Sequence, residues 1–342
     1  MRKALFSVGA ALTAFTAASA APQAVHLPVF QENFPDPFVV QHGGEFVAYS
    51  TNDGGANLPV ATSRNLLDWA YLTDPQNPKK RRDGLPKLGA WAREGLTWAP
   101  EVLQVGDRWL VYYTAQHVKA NLQCIGVASA SDPRGPFVDN AEDALVCQRD
   151  LGGSIDAHAF KDTDGQLYLY YKNDGNAVRK PTELWAQRLS ADGTTLVGEP
   201  VSLNLRNDQP WEGNAIEAPT MVSRPGGYTL LYSANYFGWA PDQRLSAYAM
   251  GYAVCSTPMG PCTDGPGNPV LYSYNDRKAG CLSGPGHQAV FRALGREFIA
   301  FHGWAATKGC RKLDDKRVLY IAPLFWENGK PLIGPSVRPK GK

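Results

Sequence analysis

The sequence predicts an all-β chain closed into a five-bladed β-propeller, and three observations predict it. A turn followed by a strand with alternating aromatics recurs five times, each copy is preceded by a second apolar strand, and no long stretch has helical period. The anchors of the five copies are Tyr49, Tyr113, Tyr171, Tyr232 and Phe301, spaced by 64, 58, 61 and 69 residues. Units of this size stack as repeats, and five of them fill the chain. A β-sandwich is the structural alternative, but it does not require a fivefold period.

The first twenty residues form a segment of their own. Arg2 and Lys3 supply a basic start, Ala4 to Ala17 an apolar run, and Ala18-Ser19-Ala20 a small-residue cleavage pattern. We expect a signal peptide over 1–20 and one propeller domain over 21–342, in a secreted or periplasmic chain. The run is too short for a membrane anchor, and no other stretch approaches eighteen apolar residues. The six cysteines contain no CxxC, which speaks against a zinc ribbon. In an exported chain they are expected to pair. Six cysteines allow fifteen connectivities; neighbour pairing (Cys124–Cys147, Cys255–Cys262, Cys281–Cys310) would staple one local unit each.

The blades then follow in order. Their anchor strands are Gly44–Ser50, Asp107–Thr114, Gly165–Tyr171, Gly227–Ser233 and Arg296–His302. Each is preceded by a short apolar strand: Phe38–Val40, Val102–Val105, His158–Phe160, Thr220–Val222 and Gln288–Phe291. Four are followed by a third: Val60–Thr62, Ile125–Ala128, Leu184–Gln187 and Gly251–Val254. Composition agrees with such a fold. The 342 residues hold 34 Gly, 26 Pro and 37 aromatics, yet only 19% are charged, with a net charge of +2. That balance removes nucleic acid or an anionic membrane as main partner and favours a neutral, polar ligand such as a sugar. Lys79-Lys80-Arg81-Arg82 reads as a solvated turn. Asp162-Thr163-Asp164-Gly165 reads as a hairpin turn, since the glutamate of a calcium loop is missing.

Innermost strands of a propeller line its channel, so residues just before them converge. Counting back 13 to 15 residues from each anchor gives Asp36, the segment Trp98-Ala99-Pro100-Glu101, Asp156, Glu217 and His287. Turn capping or pairing with arginine could account for any single acid, but less readily for three at one repeat position. Carboxylates around a wet pocket are what glycosidic cleavage needs: one protonated to donate to the leaving oxygen, another ionised to activate water. A third nearby would raise the acid's pKa. Trp98, Trp91 and Trp211 could stack on a sugar ring or pack in the core, and Asn235–Trp239 could line the cleft or cap its blade.

These segments also resemble glycoside hydrolase family 43. The motifs are Asn33-Phe34-Pro35-Asp36-Pro37-Phe38, Trp98-Ala99-Pro100-Glu101-Val102, Ser154-Ile155-Asp156-Ala157-His158, Ile216-Glu217-Ala218-Pro219-Thr220 and Gly284-Pro285-Gly286-His287-Gln288. Arg317–Leu324, with Trp326 and Pro331, is similar to the family's last blade. The resemblance implies Asp36 as general base, Glu217 as general acid and Asp156 as the carboxylate that tunes and orients the acid. It implies inversion by single displacement, with carboxyl groups about 6.5–9.5 Å apart. His287 matches a channel histidine that faces a metal ion through water, often calcium; no organic cofactor is implied. Arg317 matches a basic residue at the sugar-binding end, and Phe34, Trp98 and Trp211 join it as expected substrate contacts. Asp156 is followed by Ala157 where the family commonly has proline. The Arg-Asp-Pro and Glu-Cys signatures of sucrose-active propellers do not occur at Asp156 and Glu217, which argues against a retaining fructosidase.

The expectation is therefore a monomeric, exported hydrolase of arabinose- or xylose-containing plant polysaccharide. An exo-acting α-L-arabinofuranosidase or β-xylosidase is preferred over an endo-1,5-α-L-arabinanase. A carbohydrate-binding propeller without turnover is the reading from another class.

Overall fold

Alternating side chains give each anchor strand two faces that both need cover, which is supplied by sheets packed against sheets. The computed structural model describes residues 24–242, 245–307 and 309–338. It places five antiparallel sheets in succession. Blade 1 is Phe38–His42, Glu45–Tyr49, Val60–Ser63 and Ala70–Tyr71; blade 2 is Trp98–Val105, Arg108–Gln116 and Gln123–Ala130. Blade 3 is Ser154–Lys161, Leu167–Asn173, Glu183–Leu189 and Leu196–Arg206. Blade 4 is Ile216–Arg224, Gly227–Ala234, Ala249–Cys255 and Cys262–Asp264. Blade 5 is Gly286–Ala293, Arg296–Ala306, Lys312–Glu327 and Lys330–Ile333. Every strand expected from the sequence is present, so the fivefold period is a five-bladed propeller.

The core sits between blades. All five anchors are fully or almost fully buried. Burying a tyrosine requires a partner for its hydroxyl. Tyr49 donates to Pro133 O at 2.6 Å, Tyr113 to Asp139 Oδ2 at 2.6 Å, and Tyr232 to Glu212 Oε1 at 2.7 Å. Phe301 needs no partner and stacks on Tyr320 with ring centres 5.2 Å apart. The ring closes at the N-terminal side. Val29 N donates to Leu319 O at 2.8 Å and Leu319 N returns a bond to Phe30 O at 3.1 Å, zipping this segment onto the third strand of blade 5.

The disulfides are Cys124–Cys147, Cys255–Cys262 and Cys281–Cys310, the neighbour pairing. Such links typically stabilise by about 2–4 kcal/mol each, through the unfolded chain. The expected signal peptide lies outside the described residues. Among those residues no helix is long and apolar enough to cross a membrane. Asp162–Gly165 is the hairpin turn joining the first two strands of blade 3. The basic run differs from its expectation. Lys79, Lys80 and Arg81 lie on the strand Asn77–Arg81 of an exposed ribbon, and Arg81 folds back to pair with Asp53 and cover the Tyr71 ring.

Candidate active site

Each blade's first strand begins with the same irregularity. Asp36, Ala99, Asp156, Ala218 and His287 all take left-handed backbone, with φ between 46° and 58°. In blades 2 to 5 the register breaks there, as at a β-bulge. Non-glycine residues are uncommon in this region, and strained backbone held by its surroundings clusters at functional sites. Proline follows in blades 1, 2 and 4, whereas Ala157 and Gln288 follow in blades 3 and 5. Alanine after Asp156 is thus compatible with the bulge. Glu217 sits one residue before Ala218, so the three acids do not share one repeat position, as the counting had suggested. Asp36 and Asp156 do, and Glu217 is offset by one.

The bulged amides are held between blades. Ala99 N donates to Thr51 Oγ1 (2.9 Å), Asp156 N to Thr114 Oγ1 (3.3 Å), His287 N to Ser233 Oγ (2.8 Å) and Asp36 N to His302 Nδ1 (3.1 Å). The acceptors occupy the matching place on the second strand or, for Thr51, just past its end, opposite the residue before the bulge. At the remaining junction, Ala218 N donates to Asp156 Oδ2 at 3.2 Å. Asp156 therefore grips the backbone next to Glu217.

These contacts surround one cavity of about 470 Å³, well within the usual range for a small-molecule site. Asp36, Asp156 and Glu217 line it together with His287 and Arg317. Ligating atoms of Asp156, Glu217 and His287 lie within 4.8 Å of one another, and His287 Nδ1 is 3.4 Å from Asp36 Oδ1. The imidazole thus lies among the three carboxylates. Trp98 lines one wall, Asn176 and Ala177 of the short 3₁₀ turn Gly175–Val178 another, and Phe237 a third.

The three acids have different electrostatics. Arg317 Nη1 donates to Asp36 Oδ1 at 2.8 Å and Thr51 Oγ1 to Oδ2 at 2.5 Å. Burial pushes the Asp36 carboxyl up, but Arg317 and His287 outweigh it and hold it well below the usual carboxylate range. Asp36 is ionised. Asp156 goes the other way: burial, reinforced by the Glu217 and Asp36 carboxylates, pushes it up to about 7 against the pull of His287 and Lys172. Glu217 is also driven up by burial, but Lys172 (Nζ to Oε2, 3.1 Å), the Tyr248 hydroxyl (to Oε1, 2.6 Å) and His287 bring it below the ordinary glutamate range. Within the pair these surroundings favour the proton on Asp156 over Glu217. The expectation that a third charge would raise the acid Glu217 is corrected, because the bonded Lys172 ammonium, the Tyr248 hydroxyl and His287 outweigh its burial.

Several expected contacts fall elsewhere. Phe34 is fully buried against Phe30 and Tyr71, where no sugar can reach it. Trp211 packs on Tyr232, with ring centres 5.5 Å apart, and over Gly251, filling blade 4. Trp91 is core, stacked on Tyr113 and donating to Asp139. Arg317 does line the cavity, with its guanidinium on Asp36 and 5.2 Å from the Phe237 ring centre. Of the Asn235–Trp239 segment, Phe237 faces the cavity, Tyr236 is exposed, and Trp239 packs on Trp304. The sequence reading missed Lys172, Thr51, Tyr248 and His302. His302 accepts from Asp36 N, so the imidazole is neutral; burial chiefly lowers its pKa, to about 4. Lys172 could have been found as the one cation on an anchor strand just past its anchor.

A smaller space in the channel is lined by Asp36, Asp156, Glu101, Thr220, Gln288 and His287 together with Pro37, Pro100 and Pro219, and offers about 10 Å³, enough for about one water. Glu101 is already taken, with Oε1 2.9 Å from His158 Nδ1. Calcium takes six to eight oxygens. Room for about one water cannot hold an ion together with the waters through which His287 would face it, so this space does not fit a water-held calcium ion, and no step below passes through one.

Known proteins resemble this chain in sequence and fold. The chain is 26% identical over 267 residues to the arabinoxylan arabinofuranohydrolase of Paenibacillus polymyxa, covering 73% of the chain but 39% of that protein. It is 25% identical over 341 residues to the extracellular endo-α-(1→5)-L-arabinanase 1 of Bacillus subtilis, covering 95% and 96%. The crystal structure of a thermostable family-43 glycoside hydrolase superposes with a TM-score of 0.73 at 28% identity, over 90% of this chain and 95% of that one. Residues 25–331 match the model of glycosyl hydrolases family 43, and with the propeller and its three converging carboxylates the chain belongs to that family.

Proposed function

We propose that the protein is an exported, monomeric, inverting hydrolase of arabinose- or xylose-containing polysaccharides or their oligosaccharides. One arrangement carries the reading. Buried Asp36 and Asp156 and half-buried Glu217 line one cavity under unlike charges: Arg317 bonds Asp36, Lys172 bonds Glu217, and burial with the neighbouring carboxylates favours a proton on the Asp156–Glu217 pair. Asp36 takes a proton from water as the water oxygen attacks the anomeric carbon. Glu217 gives its proton to the glycosidic oxygen as that bond breaks. Asp156 holds the amide beside Glu217 and supplies the proton when the incoming oxygen favours the acid form of Glu217. Trp98 and Phe237 offer stacking faces for the sugar. Three disulfides support a location outside the cytoplasm.

The walls formed by Phe237 and by the 3₁₀ turn at 175–178 favour an exo-acting α-L-arabinofuranosidase or β-xylosidase. The near full-length likeness to an endo-arabinanase favours the second reading. Product lengths from linear arabinan decide between them: single pentoses support the first, and a ladder of oligosaccharides the second. Proton NMR of the first-released sugar is expected to show inverted configuration, and retention would rule out single displacement. No turnover of any pentoside would leave a carbohydrate-binding propeller.

Because the small channel space does not fit a water-held calcium ion, dialysis against a chelator is expected to leave rate and Tm unchanged. A loss of either, restored by calcium, would reinstate the ion.

A further inference from the structure

At four of five blade junctions, a side chain on or just past the second strand accepts the next blade's bulged amide: Thr51, Thr114, Ser233 and His302. In blade 3 that place, opposite Ile155, holds Lys172. An ammonium has three donors and no acceptor, so it cannot do the structural job of its four counterparts. Asp156 does it instead. Lys172 is fully buried and turned to the acid: Nζ lies 3.1 Å from Glu217 Oε2, 2.8 Å from Asn176 Oδ1 and 3.8 Å from Asp174 Oδ1. A buried cation is costly unless paired, and this one is paired with the residue read as the general acid.

We propose that Lys172 is a positioning residue that pins Glu217 in the cavity and sets the pH up to which the Asp156–Glu217 pair keeps its proton. The proposal rests on the reading of Glu217 as the acid. Groups facing Glu217 come from four blades: Lys172, Asp156 and Asp174 from blade 3, Tyr248 from blade 4, His287 from blade 5 and, farther off, Asp36 of blade 1 with Arg317 on its other side. Among these, Lys172 is the fully buried permanent cation bonded to Glu217, and it remains charged because Glu217, Asp156 and Asp174 together outweigh its burial. Its charge favours the ionised form of both pair members. Lys172 thus pulls the pair's last proton off at lower pH than burial alone would allow, and removing the charge must move that loss upward.

The test compares kcat/KM against pH for wild type, Lys172→Met, Lys172→Gln and Lys172→Arg on an aryl pentoside with a poor leaving group. Both neutral variants are expected to shift the alkaline limb up by about one to three pH units, the usual effect of one nearby opposite charge. Lys172→Arg, which keeps the charge, is expected to leave the limb in place. A lowered rate with an unmoved limb in Met and Gln would overturn the proposal, because loss of packing alone predicts that outcome. Should the neutral variants fail to fold, carbon NMR of labelled glutamate in the wild-type chain decides, with Glu217 assigned through Glu217→Gln. Titration below the ordinary glutamate range is expected, and titration at or above it overturns the proposal. A Glu217→Gln enzyme that loses poor and good leaving groups equally would instead remove the acid assignment itself.

Discussion

Asp36→Asn is expected to lower kcat/KM by about 10³–10⁴-fold, the upper part of the range for a general base, while leaving the thermal transition nearly unchanged. The fold should survive because the amide can be accommodated. Its oxygen can face Arg317, which donates to Oδ1, and its NH2 can face Thr51, whose hydroxyl can turn to accept. Thr51 already accepts from Ala99 N, and a hydroxyl oxygen has a second lone pair. What disappears is the charge that takes a proton from water. Initial rates on aryl arabinofuranosides and xylosides, with calorimetry in parallel, check this; activity within about tenfold of wild type would exclude Asp36 as the base.

Glu217→Gln is expected to abolish turnover of polysaccharide, a loss of about 10³-fold or more, yet spare activated substrates such as dinitrophenyl pentosides to a large degree. A good leaving group departs without a proton, so removing the acid costs it little. The amide fits here too: its oxygen can accept from Lys172, and its NH2 can face a Tyr248 hydroxyl turned to accept. The pH profile gives a second readout. In the wild type, the pair holds one proton below about pH 7 and loses it above, so kcat/KM should fall as pH rises through that point. Glu217→Gln should lose this limb on activated substrates. A uniform loss with the limb intact would place the acid elsewhere.

The blade pattern was legible because β-strands expose every second side chain to one face, and five copies of the same aromatic pattern average out local ambiguity. Asp36, Asp156 and Glu217 were legible because acids have no packing reason to recur ahead of apolar strands. Phe34 and Trp211 were misplaced for a corresponding reason. An aromatic beside a motif can point to either side of its backbone, and Phe34 turns into the cluster with Phe30 and Tyr71. Lys172 and His302 were hidden inside strands chosen for their aromatic anchors. Their importance comes from the neighbouring blade, whose bulged amide or carboxylate each one meets.

By itself the sequence determined the number of blades and the approximate ends of their strands, which repeat along the chain, and it singled out three acids near the starts of three blades. Only the tertiary structure decided which acid is ionised. Protonation depends on burial and on charges a few ångströms away, and those charges come from positions as distant as Asp36 and Arg317 or Lys172 and Glu217. No spacing along one chain encodes that distance. The closed ring does.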